Sequence, residues 1–331
     1  MKIGNEDVKL YLGSAEVEKI YLGTEQVYGG EPTPVPYSGQ YLTIESLESD
    51  NRIYFKSGFI MGKTISASTD NGTTWVERTS SSLGSGTTIA TLGTGGKVLL
   101  KGLNSSYQGE KLTSSKSFNV YGNIMSMISG DSFSNADTII SGNTFESFFY
   151  GCSGMTSAEN LILPATTLAE YCYSTMFEDC TSLTIAPELP ATTLANGCYQ
   201  SMFQGCTSLT TAPELPATTL AEGCYSSMFN GCTSLTTAPE LPATILSIDC
   251  YSNMFLNCTS LNYIKCLATD ISAIGCTEDW VNGVAVDGTF VKAESMYDWT
   301  DGESGIPYGW TVQNDDESPI GSGEVEYDDA S

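Results

Sequence analysis

Cysteine offers the most chemistry in this chain, because a thiol can ligate a metal, form a disulfide or act as a nucleophile. Nine of the eleven cysteines recur every 26 residues, in one series at Cys172, Cys198, Cys224, Cys250 and Cys276 and a second at Cys180, Cys206, Cys232 and Cys258. The chain has no histidine, which excludes Cys-His and Ser-His-Asp catalysis. It also has no CxxC pair, so we predict no metal site.

The regular spacing of the cysteines also bears on disulfides. Equivalent residues of stacked copies lie about 5 Å apart, but their Cβ atoms point the same way, which is poor disulfide geometry. We therefore predict that both series are buried free thiols that act as small apolar core residues. A disulfide framework is the alternative, and a count of free thiols in denaturant without reductant separates the two.

Carboxylates and hydroxyls are the other groups that could bind a ligand. Asp298, Asp301 and Glu303 could hold Ca²⁺, but acids outnumber bases 39 to 13, so chance clusters are expected and a solvated face is favoured. Thr207 and Thr233 repeat in phase and could face a glycan or ice, whereas hydroxyls that satisfy backbone groups in a turn are favoured. We predict no catalytic residue, no cofactor and no enzymatic activity.

One short motif has a defined local geometry. Ser68, Asp70, Gly72, Thr74 and Trp75 fit the pattern S-x-D-x-G-x-T-W, which resembles the Asp-box hairpin turns of sialidases and other glycan-processing propellers. Asp70 is expected to accept turn hydrogen bonds, Gly72 to take a positive φ and Trp75 to pack inward. A single copy favours a structural turn, and a glycan-related module is the alternative.

The repeat that carries the cysteines predicts the fold. One unit, LPATTLAEGCYSSMFNGCTSLTTAPE, spans residues 215–240, and such a period is typical of stacked coils. Cys224, Met228 and Cys232 lie at i, i+4 and i+8, which predicts a short helix, and the prolines nearby predict an extended stretch. We therefore predict a mixed α/β solenoid over residues 141–277, with an aromatic ladder at Phe177, Phe203, Phe229 and Phe255.

The rest of the chain divides into five further segments. Short β-rich runs predict an all-β, sandwich-like domain. Aromatic residues after the repeats predict a cap on the last apolar layer. The segments are a β-rich anchor or oligomerisation segment at 1–30, a Pro/Gly linker at 31–39, the all-β domain at 40–140, a cap at 278–312 and an acidic mobile tail at 313–331.

Charge and hydropathy exclude two classes of partner. The net charge is −26, and a nucleic-acid-binding protein needs basic patches to neutralise phosphate. The sequence has no run of 18 apolar residues, so we predict no membrane insertion.

Two stretches resemble known families. The run MFNGCTSLTTAPELPATTLAEGCY resembles the BspA-type leucine-rich repeats of Bacteroides surface proteins, over about residues 145–277. The run KLYLGSAEVEKIYLGTEQVYGG, with Leu10, Tyr11, Leu12, Ile20, Tyr21 and Leu22 as its apolar positions, resembles the opening of virion proteins from tailed phages of gut Bacteroides, including crAss-like phages. The second resemblance implies a structural or receptor-binding virion protein.

These observations together predict a non-enzymatic phage appendage, a head or tail fibre, made in the host cytoplasm and carried on the virion. Residues 1–30 would bind other virion proteins or further copies of the chain, with a trimer favoured. The repeats would present a surface to a glycan or protein of the host cell. The alternatives are a bacterial surface adhesin of the same repeat family, made as a longer exported precursor, and a glycan-processing enzyme.

Overall fold

The computed structural model describes residues 39–56, 63–79, 82 and 86–315, together with the backbone of six short strands between residues 2 and 28. The six strands form three antiparallel pairs. They are β1 (Lys2–Ile3), β2 (Glu6–Asp7), β3 (Tyr11–Leu12), β4 (Ala15–Glu16), β5 (Ile20–Leu22) and β6 (Glu25–Tyr28). Of the predicted anchor positions, Leu10 lies outside the described residues, and the other five lie in β3 and β5, whose side chains are not described.

Eight strands and one helix follow in the described residues between 42 and 129. They are β7 (Leu42–Ser46), β8 (Asn51–Phe55), β9 (Thr64–Ser68), β10 (Val76–Thr79), β11 (Thr88–Leu92), β12 (Lys97–Gly102), β13 (Leu112–Ser114), β14 (Phe118–Asn123) and α1 (Ser126–Ser129), and a 3₁₀ segment at Gly130–Asn135 comes next. Buried residues alternate along β8, where Asn51, Ile53 and Phe55 point inward, as expected of a strand with one face on a core.

Two sheets form this part of the chain, and the larger one continues into the repeats. The smaller sheet has the order β11-β8-β13, and the larger has the order β10-β9-β12-β7-β14-β15, with β16 also paired to β14. β15 (Met155–Ser157) and β16 (Leu161–Ile162) lie beyond residue 140, and both pair with β14 in parallel. Bridges from Ser157 to Ile185 and from Ile185 to Thr211 extend the pairing to later copies.

The prediction of a mixed α/β solenoid is wrong. Among the described residues the one α-helix is α1, with four residues, and it lies outside the repeats. The segment from Ala221 to Cys232, predicted to contain a helix, is a series of turns. We call this segment and its equivalents in the other copies the turn ribbon. The chain is a protein of β-sheets and turns.

The turn ribbon has a strict four-residue period. Gly223, Ser227 and Gly231 have φ values of 58°, 56° and 74°, in the left-handed region that glycine and short polar residues adopt most readily. Three such residues occur in each copy: Asn143, Ser147 and Gly151; Tyr171, Thr175 and Asp179; Gly197, Ser201 and Gly205; Gly223, Ser227 and Gly231; Asp249, Asn253 and Asn257; Gly275, Asp279 and Gly283. A period of four drifts by about 40° per step on an α-helix, so the apolar pattern fits the ribbon better than a helix.

Backbone hydrogen bonds join each copy to the next. Alternate amides of the ribbon close turns within their copy, as Met228 N–H does to the carbonyl of Tyr225 at 3.1 Å. The amides between them donate to the following copy, as Phe229 N–H does to the carbonyl of Met254 at 2.9 Å. The amides of the ribbon are therefore hydrogen-bonded without a helix. Each bond between copies also fixes which residues of neighbouring copies lie beside each other.

A small parallel sheet covers the last copy. It consists of β17 (Tyr263–Cys266), β18 (Thr289–Ala293) and β19 (Thr311–Asp315), in that order. Leu241 pairs with Cys266 rather than with Leu267, so the last copy is one residue shorter there. Cys266 is fully buried, and one core cluster runs from Leu42 through the repeats to Trp310.

Candidate functional site

The predicted phenylalanine ladder lies inside the stack. Phe177, Phe203, Phe229 and Phe255 are fully buried, and their ring centroids are 5.5, 5.8 and 5.8 Å apart with nearly parallel planes. Phe149 extends the ladder by one ring at 5.5 Å. Each ring thus packs against its equivalent in the neighbouring copies, and the ladder holds the copies at a fixed spacing.

A second ring ladder was missed by the sequence analysis. It runs through Tyr107, Phe145, Tyr173, Tyr199, Tyr225, Tyr251, Trp280 and Trp299, in seven steps of 5.5–6.2 Å. Its signal in the sequence is the tyrosine that follows the first four cysteines of the first series; Cys276 is followed by Thr277. The ladder begins in the β-sheet part and ends at Trp299 near the C-terminal sheet, so it ties both to the repeats.

Two hydroxyls of this ladder have no partner. The side-chain oxygens of Tyr173 and Tyr199 are buried and make no hydrogen bond, and burial raises the pKa of both phenols well above the usual value. A buried hydroxyl without a partner costs stability.

The second cysteine series makes a repeated hydrogen bond. The thiols of Cys180, Cys206, Cys232 and Cys258 each donate to the carbonyl of a phenylalanine in the preceding copy, at 3.0–3.2 Å. A thiol fits this position because it fills a small apolar space and also satisfies a buried carbonyl.

The structure places all eleven cysteines as buried free thiols. In the first series, burial raises the pKa of Cys198 and Cys250 to about 12 and raises the pKa of Cys172 and Cys224 as well. Among the described residues, no group of three or more cysteine, aspartate or glutamate side chains could hold a metal. The geometry therefore gives these thiols a packing role.

The Asp-box residues form the turn between β9 and β10. Asp70 accepts the Thr74 amide and the Ser68 hydroxyl at Oδ1, at 2.9 and 2.7 Å, and the Thr74 hydroxyl at Oδ2. These bonds, led by that of the Thr74 hydroxyl, lower the pKa of Asp70 to about 2. The Gly72 amide donates to the Ser68 hydroxyl at 2.9 Å, and Gly72 has φ of 84°. The carboxylate thus organises its own turn.

The Asp-box tryptophan belongs to a cluster on the large sheet. Trp75 is half-buried, with the Tyr41 ring 4.8 Å away and the Lys101 ammonium 4.1 Å from its ring centre. Lys101 also pairs with Asp131 at 2.6 Å, and Asp131 accepts the Tyr41 hydroxyl at 2.8 Å. The Tyr41 hydroxyl, the Lys101 ammonium and the Asp131 carboxylate are thus paired with one another beside the Trp75 ring, so the cluster is a packed support for the hairpin.

The threonine rows bond to the backbone of the preceding copy. The hydroxyls of Thr207 and Thr233 donate to the carbonyls of Thr181 and Thr207 at 3.4 Å.

Asp301 and Glu303 of the predicted calcium cluster are exposed, and no metal-binding group is found among the described residues there.

The outer surface of the repeats is strongly acidic. Residues 141–290 contain fourteen carboxylate side chains and one base, Lys265. Lys265 contacts Glu240 and Asp315 at 3.4 Å. This surface attracts cations and repels anionic polymers such as nucleic acid.

Comparison of the chain with protein-family models, with curated proteins and with solved structures finds no match. In the described part of the chain, no helix has the length and hydropathy to cross a membrane.

Proposed function

We propose that this chain is a non-enzymatic appendage of a phage particle, which presents the surface of its repeats to the envelope of a host cell. The observation that carries this proposal is the continuous ring ladder from Tyr107 to Trp299. It joins the sheets, the repeats and the C-terminal sheet through one continuous core. A continuous core beneath a long regular surface suits attachment, and its rings and thiols are used in packing.

We further propose that the N-terminal segment anchors the chain to the phage particle. Its strand pairs have two to four residues per strand, and isolated two-stranded hairpins of this kind are marginal in water. We expect residues 1–30 to gain stability by packing on other particle proteins or on further copies of the chain in a closed symmetric oligomer, a trimer being what the resemblance to phage fibres implies. The sequence resemblance of residues 9–30 to openings of virion proteins points to the same role.

Deletion of residues 1–30 tests the anchor. In phage carrying the deletion, the protein is expected to be missing from purified particles, while urea unfolding of the purified deleted chain remains cooperative. Full-length protein should sediment with particles and be visible on their surface by immunogold electron microscopy. Deleted protein that still joins the particle, or full-length protein that is absent from it, would contradict the proposal.

A further inference from the structure

One column of left-handed residues on the turn ribbon contains glycines in some copies and larger side chains in others. It consists of Tyr171, Gly197, Gly223, Asp249 and Gly275. A side chain in this column leans over the glycine of the next copy, because a Cβ on Gly197 would overlap the Tyr171 ring, and a Cβ on Gly275 would overlap the Asp249 carboxylate. Gly223 differs, since no heavy atom of a residue other than Gly223 and its two chain neighbours lies within 4 Å of the position that a Cβ would take.

The uncovered glycine lies in a cavity of about 270 Å³. Tyr171 lines one side, and the residue is 42% exposed. The remaining lining groups that matter here are polar: the Gln200 amide, the Ser226 hydroxyl and the carboxylates of Glu222 and Asp249. The cavity therefore combines an aromatic wall, an open floor without a side chain, and several hydrogen-bonding groups in its lining.

We propose that this cavity binds a single hexopyranose unit, a neutral or an amino sugar. The apolar face of a sugar ring packs on an exposed aromatic ring such as Tyr171. Carboxylates accept hydroxyl hydrogens in strong charge-assisted bonds, and the Gln200 amide and Ser226 hydroxyl can both donate and accept. The volume lies just below the range of about 300–1,000 Å³ that is usual for small-molecule sites, which fits one sugar residue.

The charge of the cavity selects among sugars. Its lining contains no lysine or arginine, and the surrounding repeats carry one base among fourteen acids. A sugar with its own carboxylate, such as a uronic acid, is repelled, whereas the ammonium group of an amino sugar is attracted. The biological role of this site rests on the proposed attachment function, but the binding itself does not.

The test measures sugar binding to the full-length purified chain by saturation-transfer NMR titration at pH 7. The probes are D-glucosamine, D-glucose and D-glucuronate. Gly223→Asn fills the floor of the cavity, and Gly231→Asn is the matched control. Gly231 has a similar φ of 74° and lies outside the cavity lining. Asp249 and Asn257 occupy the equivalent positions of the next copy, so both variants should fold.

Tyr171→Gly is the second test variant. Equivalent copies carry glycine at this position, as at Gly197 and Gly223, so the variant relieves a left-handed tyrosine while it removes the aromatic wall. It is expected to be at least as stable as the parent chain and to bind sugar about tenfold more weakly, a loss of about 1.4 kcal/mol. This combination separates lost binding from lost folding.

The expected result is saturable binding of glucosamine and glucose, with glucuronate about tenfold weaker. Gly223→Asn should weaken binding about tenfold, and Gly231→Asn should leave it unchanged. Absence of binding to the parent chain, or equal binding by Gly223→Asn, would overturn the sugar site. A chain that binds glucosamine but is absent from particles would overturn the proposed function alone.

Discussion

Replacement of Gly231 by alanine distinguishes the turn ribbon from a helix, because the two structures predict changes of opposite sign in the free energy of unfolding. Gly231 has φ of 74°, and a Cβ there meets only Gly205 atoms at an ordinary 3.8 Å. The cost of the substitution is therefore purely conformational, about 1–2 kcal/mol for an L-residue in the left-handed region. In an α-helix the same substitution would stabilise the chain by about 0.8–1.0 kcal/mol. The two structures thus differ by about 2–3 kcal/mol.

Urea unfolding of the full chain measures this difference. The midpoint of Gly231→Ala should fall at unchanged m-value. Gly93→Ala is the control, because Gly93 does not have a positive φ and its Cβ position is open. That control should be neutral or stabilising by about 0.4–1 kcal/mol. A rise in stability for Gly231→Ala would refute the left-handed ribbon.

Four further predictions use the same chain. Tyr199→Phe should stabilise by about 1 kcal/mol in urea unfolding, because it removes a buried hydroxyl without a partner; a loss of stability would contradict this. Phe203→Ala should cost about 3–5 kcal/mol in the same assay, since the ring is fully buried, and a cost below about 1 kcal/mol would argue against the ladder. The hydrogen bonds of Asp70 lower its pKa to about 2, so the stability that they add to the fold is present above about pH 4 and is lost as the pH falls towards 2. An NMR titration of the Thr74 amide measures this pKa, and a midpoint near 4 would contradict the prediction. Thiols such as Cys198, with pKa raised to about 12, should react with Ellman's reagent at pH 8 only after denaturation, when all eleven are counted.

The residues that face the core could be predicted from the sequence, because the same positions of each repeat are buried whether the local backbone is a helix or a series of turns. The phenylalanine ladder and both cysteine series recur in phase, and all of these side chains are buried. The short β-rich runs before the repeats also indicated strands there, and β7 to β14 lie in that part of the chain. These patterns show which face of the chain is buried, because apolar residues occupy the positions that face away from water.

The backbone of the ribbon was not read correctly, because Cys224, Met228 and Cys232 fit both a helix and a four-residue turn period. The distinguishing signal lies in the polar residues between them. Gly223, Ser227 and Gly231 are also four apart, and such residues tolerate left-handed backbone. The helix prediction depended on the spacing of the apolar residues alone, which does not include this signal.

Two other features depend on contacts between copies. Leu267 keeps the 26-residue phase in the sequence, but the chain is one residue shorter from Tyr263 to Cys266 than from Thr237 to Leu241, and Cys266 takes the place of the leucine. The cavity over Gly223 arises because Tyr171 and Asp249 each cover a neighbouring glycine and leave this one open. Neither is visible in one copy of the repeat.

The most direct test of the stacking is the scalar coupling across a single hydrogen bond. In the structure the amide of Phe229 donates to the carbonyl of Met254 in the next copy at 2.9 Å. A long-range HNCO spectrum of the deuterated chain should therefore correlate the Phe229 nitrogen with the carbonyl carbon of Met254. A correlation with the carbonyl of Tyr225, the partner of an α-helix, would contradict the account.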